Sequence, residues 1–208
     1  MLEELPQASI AQKVHRFANI SRLRQLAESK GLTIDQITDV IAFEREDVIK
    51  QLMDEPFQRK PFFGNKFGRQ SRFSDGDWPV FYTAIGPKTA QEESTYQYGR
   101  KAAGDGSARR PVHYSILRCE FSGSIIDLRP KLSDWPDLVS DDYMFCIALG
   151  KEGNDLNVGG FFNPSARDKG GTTVPAFKRE TLKGPIIEAT AKLTFSEDTT
   201  VVEIAEMS

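Results

Sequence analysis

From Ser9 to Asp54 the chain has no proline and a single glycine, Gly31, whereas Asp54 to Gln70 holds two prolines, two glycines and four phenylalanines. That break restricts the fold to two kinds of region: an N-terminal stretch free to be helical, and a longer remainder cut into short elements by turns. In the first stretch apolar residues recur at three and four, as Val14, Phe17, Ile20, then Ile34, Ile37, Val40, Ile41, then Val48, Ile49 and Leu52. The spacing predicts a small helical region over 1–57. Gly31 and Thr33 suit a helix end followed by a new N-cap.

Within it, "LTIDQITDVIAFEREDVIKQL" places Thr38, Ala42 and Val48 where a helix-turn-helix wants a small residue, a turn and an aliphatic. Its second helix would begin "FEREDV", with Glu44, Glu46 and Asp47 where phosphate and base contacts need donors. A helical region that packs, regulates or mediates association is the better reading, and nucleic acid is a poor partner. The stretch Asp54–Gln70, with Arg59, Lys60, Lys66 and Arg69 among its phenylalanines, reads as an aromatic linker into a second domain over 58–208. So much aromatic surface calls for burial rather than a flexible tether.

The full 208 residues suffice for one sizeable core with a small appendage. A net charge of -3 gives no global pull toward nucleic acid or anionic lipid, and no apolar run approaches the roughly 20 residues of a membrane helix. The start, "MLEELPQASIAQKV", lacks a signal peptide's basic and apolar regions, so cytoplasm is the expected location, or a target cell's cytoplasm after delivery. Cys119 and Cys146 each sit in an apolar segment and read as buried hydrophobes. His15 and His113 lack partners at metal-ligand spacing, so no metal is expected.

After the linker, "WPVFYTAI" reads as a strand, "PKTAQEESTYQYGRK" as a helix with Pro87 in its first turn, "VHYSILRCEFSG" as a long strand and "SIIDLR" as a short one. "DDYMFCIALGK" fits helix or strand. "GGFFNPSARDKGGTTVPAF" gives strand, Gly-rich loop and strand, and "PIIEATAKLTFSEDTTVVEIAEM" a hairpin turning at "SED". The phosphate-binding, dinucleotide-binding, nucleophile-elbow and zinc-protease signatures are missing. What remains is Arg72, Tyr82 and Glu93, before, inside and after the first strand of this domain. On the helix Ala90, Glu93 and Gln97 share one face, so Glu93 turns inward while the adjacent Glu92 lies on another side. On composition alone these would be a surface arginine, a strand tyrosine and a solvated glutamate.

Two blocks change that weighting. "RFSDG", "PVFYTA" and "KTAQEE" form the first, and "NVGGFFNPSARDKGGTTVPAF" the second, in order over about Lys60 to Glu188. Together they resemble the RES domain, named for an arginine, a glutamate and a serine. The resemblance assigns Arg72, Tyr82, Glu93 and Ser165 as catalytic, with Glu93 three residues after the matching alanine, Ala90. It implies an α+β fold around an ADP-ribosyltransferase-like bent mixed sheet. It also implies NAD as substrate, commonly for the toxin of a bacterial toxin–antitoxin pair: a NAD glycohydrolase or NAD phosphorylase, or alternatively a mono-ADP-ribosyltransferase acting on a protein acceptor. A neutralising antitoxin and a homodimer are partners to look for. The non-enzymatic alternative is a DNA-binding or interaction module with an inactive RES domain.

In that frame Glu93 would stabilise the oxocarbenium-like transition state. Arg72 would fork onto the pyrophosphate, and Tyr82 would stack on the nicotinamide or ribose. Ser165 would bond the ligand or orient Glu93, and Arg167 would add a second phosphate contact.

Overall fold

The computed structural model describes residues 1–20, 45–104, 111–196 and 199–206. Seven strands form one sheet: β1 (Gln7–Asn19), β2 (Phe81–Ala84), β3 (Val112–Asp127), β4 (Gly160–Pro164), β5 (Thr172–Ala176), β6 (Leu182–Ser196) and β7 (Thr199–Glu206). Their order is β1-β2-β5-β4-β3-β6-β7, and β1 also pairs with β3. That extra pairing closes β1, β2, β5, β4 and β3 into a small barrel, with β6 and β7 continuing from β3. Only β3 and β4 run parallel, so the sheet is mixed. Among the described residues the helices are α1 (Arg45–Asp54), α2 (Pro87–Gly104) and α3 (Met144–Asp155). The architecture is α+β.

The N-terminal expectation is corrected here: Gln7–Asn19 is a strand, not helix, and it belongs to the same sheet as the rest of the chain. Its period of two is hidden because residues 14–18, which carry its large apolar side chains, are covered on both faces, while residues 7–13 are largely exposed. Val14 and Ala18 pack into a core with Phe81, Leu117, Phe121 and Val174, while Phe17 packs on the other side against Ala90 and Tyr98 of α2. A strand covered on both faces loses its alternation, and the pairing along β3 overrides the helical bias of residues such as Ala, Gln and Lys. Most of the helix-turn-helix-like segment lies outside the described residues. Its end is α1, which carries Glu46 and Asp47 in its first turn and sends Val48, Leu52 and Met53 into the β1 core.

The two strands expected between Val112 and Arg129 are one. Gly123 does not break β3; it makes room, since a Cβ there would press within 2.9 Å of the Thr181 methyl carbon. α2 begins where expected. Gly86 turns the chain at φ +85°, a value that favours glycine, and Pro87 occupies the first turn, where its missing N–H costs nothing. The ambiguous segment from Asp141 resolves as α3, which packs against Phe73 closely enough that a Cβ on Gly150 would meet the Phe73 carbonyl carbon at 2.8 Å. A second core, of Phe73, Leu138, Leu149 and Phe161, therefore ties the Arg72 loop to α3 and β4. The terminal β6–β7 hairpin forms as expected.

Candidate active site

Arg72 stands at the start of a loop, Ser71–Trp78, that is pinned from several sides. Its Nη1 donates to the carbonyls of Leu138 (3.1 Å) and Ser140 (2.7 Å), and the guanidinium lies 4.9 Å from the Tyr143 ring centroid. The Tyr82 hydroxyl brackets it, accepting the Phe73 N–H at 2.9 Å and donating to Ser71 Oγ at 2.9 Å. Burial pushes that phenol up to about 12, so it stays protonated and keeps its donor. Its hydroxyl is committed to holding the residues on either side of Arg72, and Tyr82 also lines the cavity described below.

Across from this loop, α2 presents Glu93. Its Oε1 accepts from Ser165 Oγ at 2.6 Å and from the Ala166 N–H at 3.1 Å. Ser165 Oγ in turn accepts the N–H groups of Arg167 (3.1 Å) and Asp168 (3.0 Å). One hydroxyl thus folds the loop between β4 and β5 around itself while donating to the carboxylate. Asp168 fastens the same loop to the first turn of α2 through Thr89 Oγ1 (2.6 Å) and Lys88 Nζ (3.1 Å), and the Thr89 bond leads in lowering its pKa. The catalytic carboxylate candidate is therefore fixed at Oε1 by two donors of one loop, which is itself tied to the helix that carries it, the arrangement that electrostatic preorganisation requires.

A cavity of about 320 Å³ lies between these halves, lined by Arg72, Tyr82 and Glu93. Glu92 does not line it; Ala90, Glu93 and Gln97 do, as the helical-face argument predicts. Ser165 stands behind Glu93 rather than on the wall. Arg167 is turned away: it pairs with Asp141 and lies 3.4 Å from the Tyr96 ring centroid, and Tyr96 Oη donates to Asp141 at 3.1 Å. The Arg167 bond is also the leading cause holding the Asp141 carboxyl below the usual range.

Several lining residues were not singled out from the sequence. Arg100 lies seven residues after Glu93 on the same helix face, so helical arithmetic could have found it. Tyr143 precedes α3 within a run whose type was undecided. His15 and Arg16 come from β1, read as helix, and no local signal points to them. His15 is buried, and desolvation lowers its pKa although its Nε2 lies 3.4 Å from Glu188. Arg16, Arg72 and Arg100 face one lining carboxylate, Glu93, so the cavity suits an anion that presents an electron-poor centre to that carboxylate.

The class to which this fold belongs comes from comparison with known families. A family model described as the RES domain matches residues 49–196, and the chain belongs to the RES domain family. RES domains are known from NAD-related toxin–antitoxin systems, which supports a NAD-acting role. No curated protein matches the sequence. No group of three or more His, Cys, Asp or Glu among the described residues is arranged to hold a metal ion, and no described helix is long and apolar enough to cross a membrane.

Proposed function

We propose that the protein cleaves the nicotinamide–ribose bond of NAD. The observation that carries this reading is the Glu93 carboxylate, fixed by Ser165 Oγ and the Ala166 N–H at the wall of a cavity whose other charged lining residues are Arg16, Arg72 and Arg100. The C–N bond breaks with its electron pair leaving on the nicotinamide nitrogen, and positive charge develops on the ribose. A carboxylate held beside that ribose is worth most when the charge has formed, which lowers the barrier rather than the ground state. The guanidiniums of Arg72 and Arg100 take the phosphates, Arg72 through the donors its carbonyl contacts leave over. Water then adds to the ribose carbon and loses a proton, giving ADP-ribose; inorganic phosphate at the same carbon gives the phosphorylated sugar. A protein side chain as acceptor is the second reading, and a bacterial toxin with a neutralising partner is the setting the family supports.

The test is nicotinamide release from NAD by the purified protein, with and without inorganic phosphate. Wild type releases it, and Glu93→Gln slows release by about 1,000-fold, the scale of losing one preorganised electrostatic group, with little change in melting temperature. Absence of release by wild type, or equal rates for Glu93→Gln, defeats the reading. A labelled protein product in place of free ADP-ribose would assign the transferase reaction instead.

A further inference from the structure

Arg72 and Glu93 are each held in place by a different piece of chain. The segment 138–143 holds Arg72, through the carbonyls of Leu138 and Ser140 and the Tyr143 ring. The loop between β4 and β5 holds Glu93, through Ser165 Oγ and the Ala166 N–H. A substrate that touches both groups needs their separation fixed, because a displacement of about 1 Å at a reacting centre costs on the order of 100-fold in rate. That separation depends on how the segment and the loop are joined.

The segment is anchored firmly at one end. Leu138 is fully buried in the second core, and its carbonyl also accepts from Asn163 Nδ2 at 3.4 Å. Beyond it Asp141 and Asp142 are exposed, and the turn is shaped by its own bonds, Asp142 N–H to Ser140 Oγ and Met144 N–H to Asp142 Oδ1, each at 3.0 Å. Asp141 carries this turn across to the other half of the site. Its Oδ1 pairs with Arg167 Nη2, and its Oδ2 accepts the Tyr96 hydroxyl at 3.1 Å. Arg167 belongs to the Glu93 loop, where its N–H lies on Ser165 Oγ, and its guanidinium stacks on Tyr96, three residues after Glu93 on α2. One side chain therefore joins the Arg72 segment, the Glu93 loop and the Glu93 helix. Tyr96, Asp141 and Arg167 all lie outside the cavity lining, so none of them is placed to touch a ligand there.

As a device for holding the fold together, this pair is poor. Asp141 is 57% exposed, and ion pairs so open to water add little to stability. The pair Lys151–Asp155 is open in the same way, yet it joins two residues one turn apart on α3. The Arg167–Asp141 pair joins two parts of the chain 26 positions apart, one carrying each half of the site.

We propose that Arg167 and Asp141 are positioning residues, whose ion pair, seated on Tyr96, keeps the Arg72 segment in register with the Glu93 loop. The proposal rests on the NAD reading above for what is positioned: phosphate at Arg72 and ribose at Glu93 of one molecule. Arg167 then acts through Asp141 and not as a phosphate ligand. The two roles give Asp141→Asn opposite signs. It loosens a strut and slows the reaction, whereas it would free a phosphate-binding cation and tighten NAD.

The experiment measures kcat and KM for nicotinamide release by the intact protein, with amide hydrogen exchange alongside. Arg167→Ala is expected to lower kcat by about 10- to 30-fold, with KM within threefold and the melting temperature within about 2 °C. Asp141→Asn does the same, and the double variant is no slower than the slower single, as for two residues that act as a unit. Arg167→Lys, which keeps a cation for Asp141, recovers part of the loss, and Lys151→Ala changes neither rate nor melting. In Arg167→Ala, exchange quickens at residues 140–143 and 166–168 while β3 keeps its protection. A lower KM in Asp141→Asn, an unchanged kcat in either single, or single losses that multiply in the double variant overturns the proposal. So does a raised KM with kcat kept in Arg167→Ala, which would make Arg167 a ligand, or a fall in melting temperature large enough to account for the lost rate. Wild type that releases no nicotinamide defeats the NAD reading by itself; exchange then decides the strut, faster at both stretches if it stands and unchanged if it does not.

Discussion

The two edges of β1 are built to opposite specifications. One edge pairs with β3 along all 13 residues of the strand, from Gln7↔Ile126 to Asn19↔Tyr114. The other meets β2 at the single pair His15↔Ala84. The first edge is a continuous ladder closed over by Val14, Leu117 and Phe121. The second is a seam left open, where His15 and Arg16 face Tyr82 and Thr83 around the cavity and the Arg16 side chain reaches the Tyr82 carbonyl in place of a ladder bond. Stability and reactivity are thus assigned to different edges of one strand. The ladder holds the barrel rigid enough that the seam can stay polar, open and charged.

Substitutions should separate the two. On the ladder side, Leu117→Ala removes a fully buried side chain and is expected to cost about 2–5 kcal/mol, lowering the melting temperature by several degrees, while ADP-ribose affinity of the folded protein is kept. A melting temperature within a degree of wild type would mean that this face is not the structural one. On the cavity side, Ser165→Ala removes the shorter of the two bonds to Glu93 Oε1 and should slow nicotinamide release by about 10- to 100-fold, matching the 1.5–3 kcal/mol typical of a bond to a charged group, with a loss of stability smaller than that of Leu117→Ala because the Arg167 and Asp168 N–H groups also lose their acceptor. An equal loss in activity and stability would erase the distinction.

A subtler separation comes from alkaline pH. Burial holds the Tyr82 and Tyr114 phenols at about 12, above the ordinary value of 10. The folded state keeps both protons where the unfolded chain releases them, so stability intact below pH 10 falls as pH rises toward 12. Denaturant titrations at pH 9 and 11 should show a smaller loss for Tyr82→Phe than for wild type, and equal losses would exclude Tyr82 as a source. The smallest expected effect is at Glu92, beside the catalytic candidate but off the cavity wall: Glu92→Gln should alter nicotinamide release less than twofold. A loss comparable to that of Glu93→Gln would reverse the assignment of the two glutamates.

The pieces of the site legible in the sequence were those with a local pattern. Glu93 followed from the face it shares with Ala90 and Gln97, and Ser165 from the motif around it. Arg100 obeys the same helical arithmetic, seven residues after Glu93. Arg16 was not legible at all. The half of its strand that it lies in, residues 14–18, is covered on both faces, so hydrophobic spacing mimics a helix, and its place beside Tyr82 depends on a pairing 69 positions away, His15 with Ala84. Arg167 shows the opposite failure: a cation next to the site motif looked like a phosphate ligand, yet Asp141 and Tyr96 occupy it. Nearness in sequence to a functional residue says little about direction when the chain turns sharply, as it does around Ser165 Oγ.

The bond from Ser165 to Glu93 spans 72 positions of the chain. During synthesis at about 5–20 residues per second, roughly 4 to 14 seconds separate the appearance of the carboxylate from that of its partner. Until β4 and β5 follow and dock, Glu93 hangs on a helix with no Ser165 or Ala166 to fix it. A nascent chain therefore lacks the fixed carboxylate until β4 and β5 have been made, and the candidate site is complete only when the barrel closes.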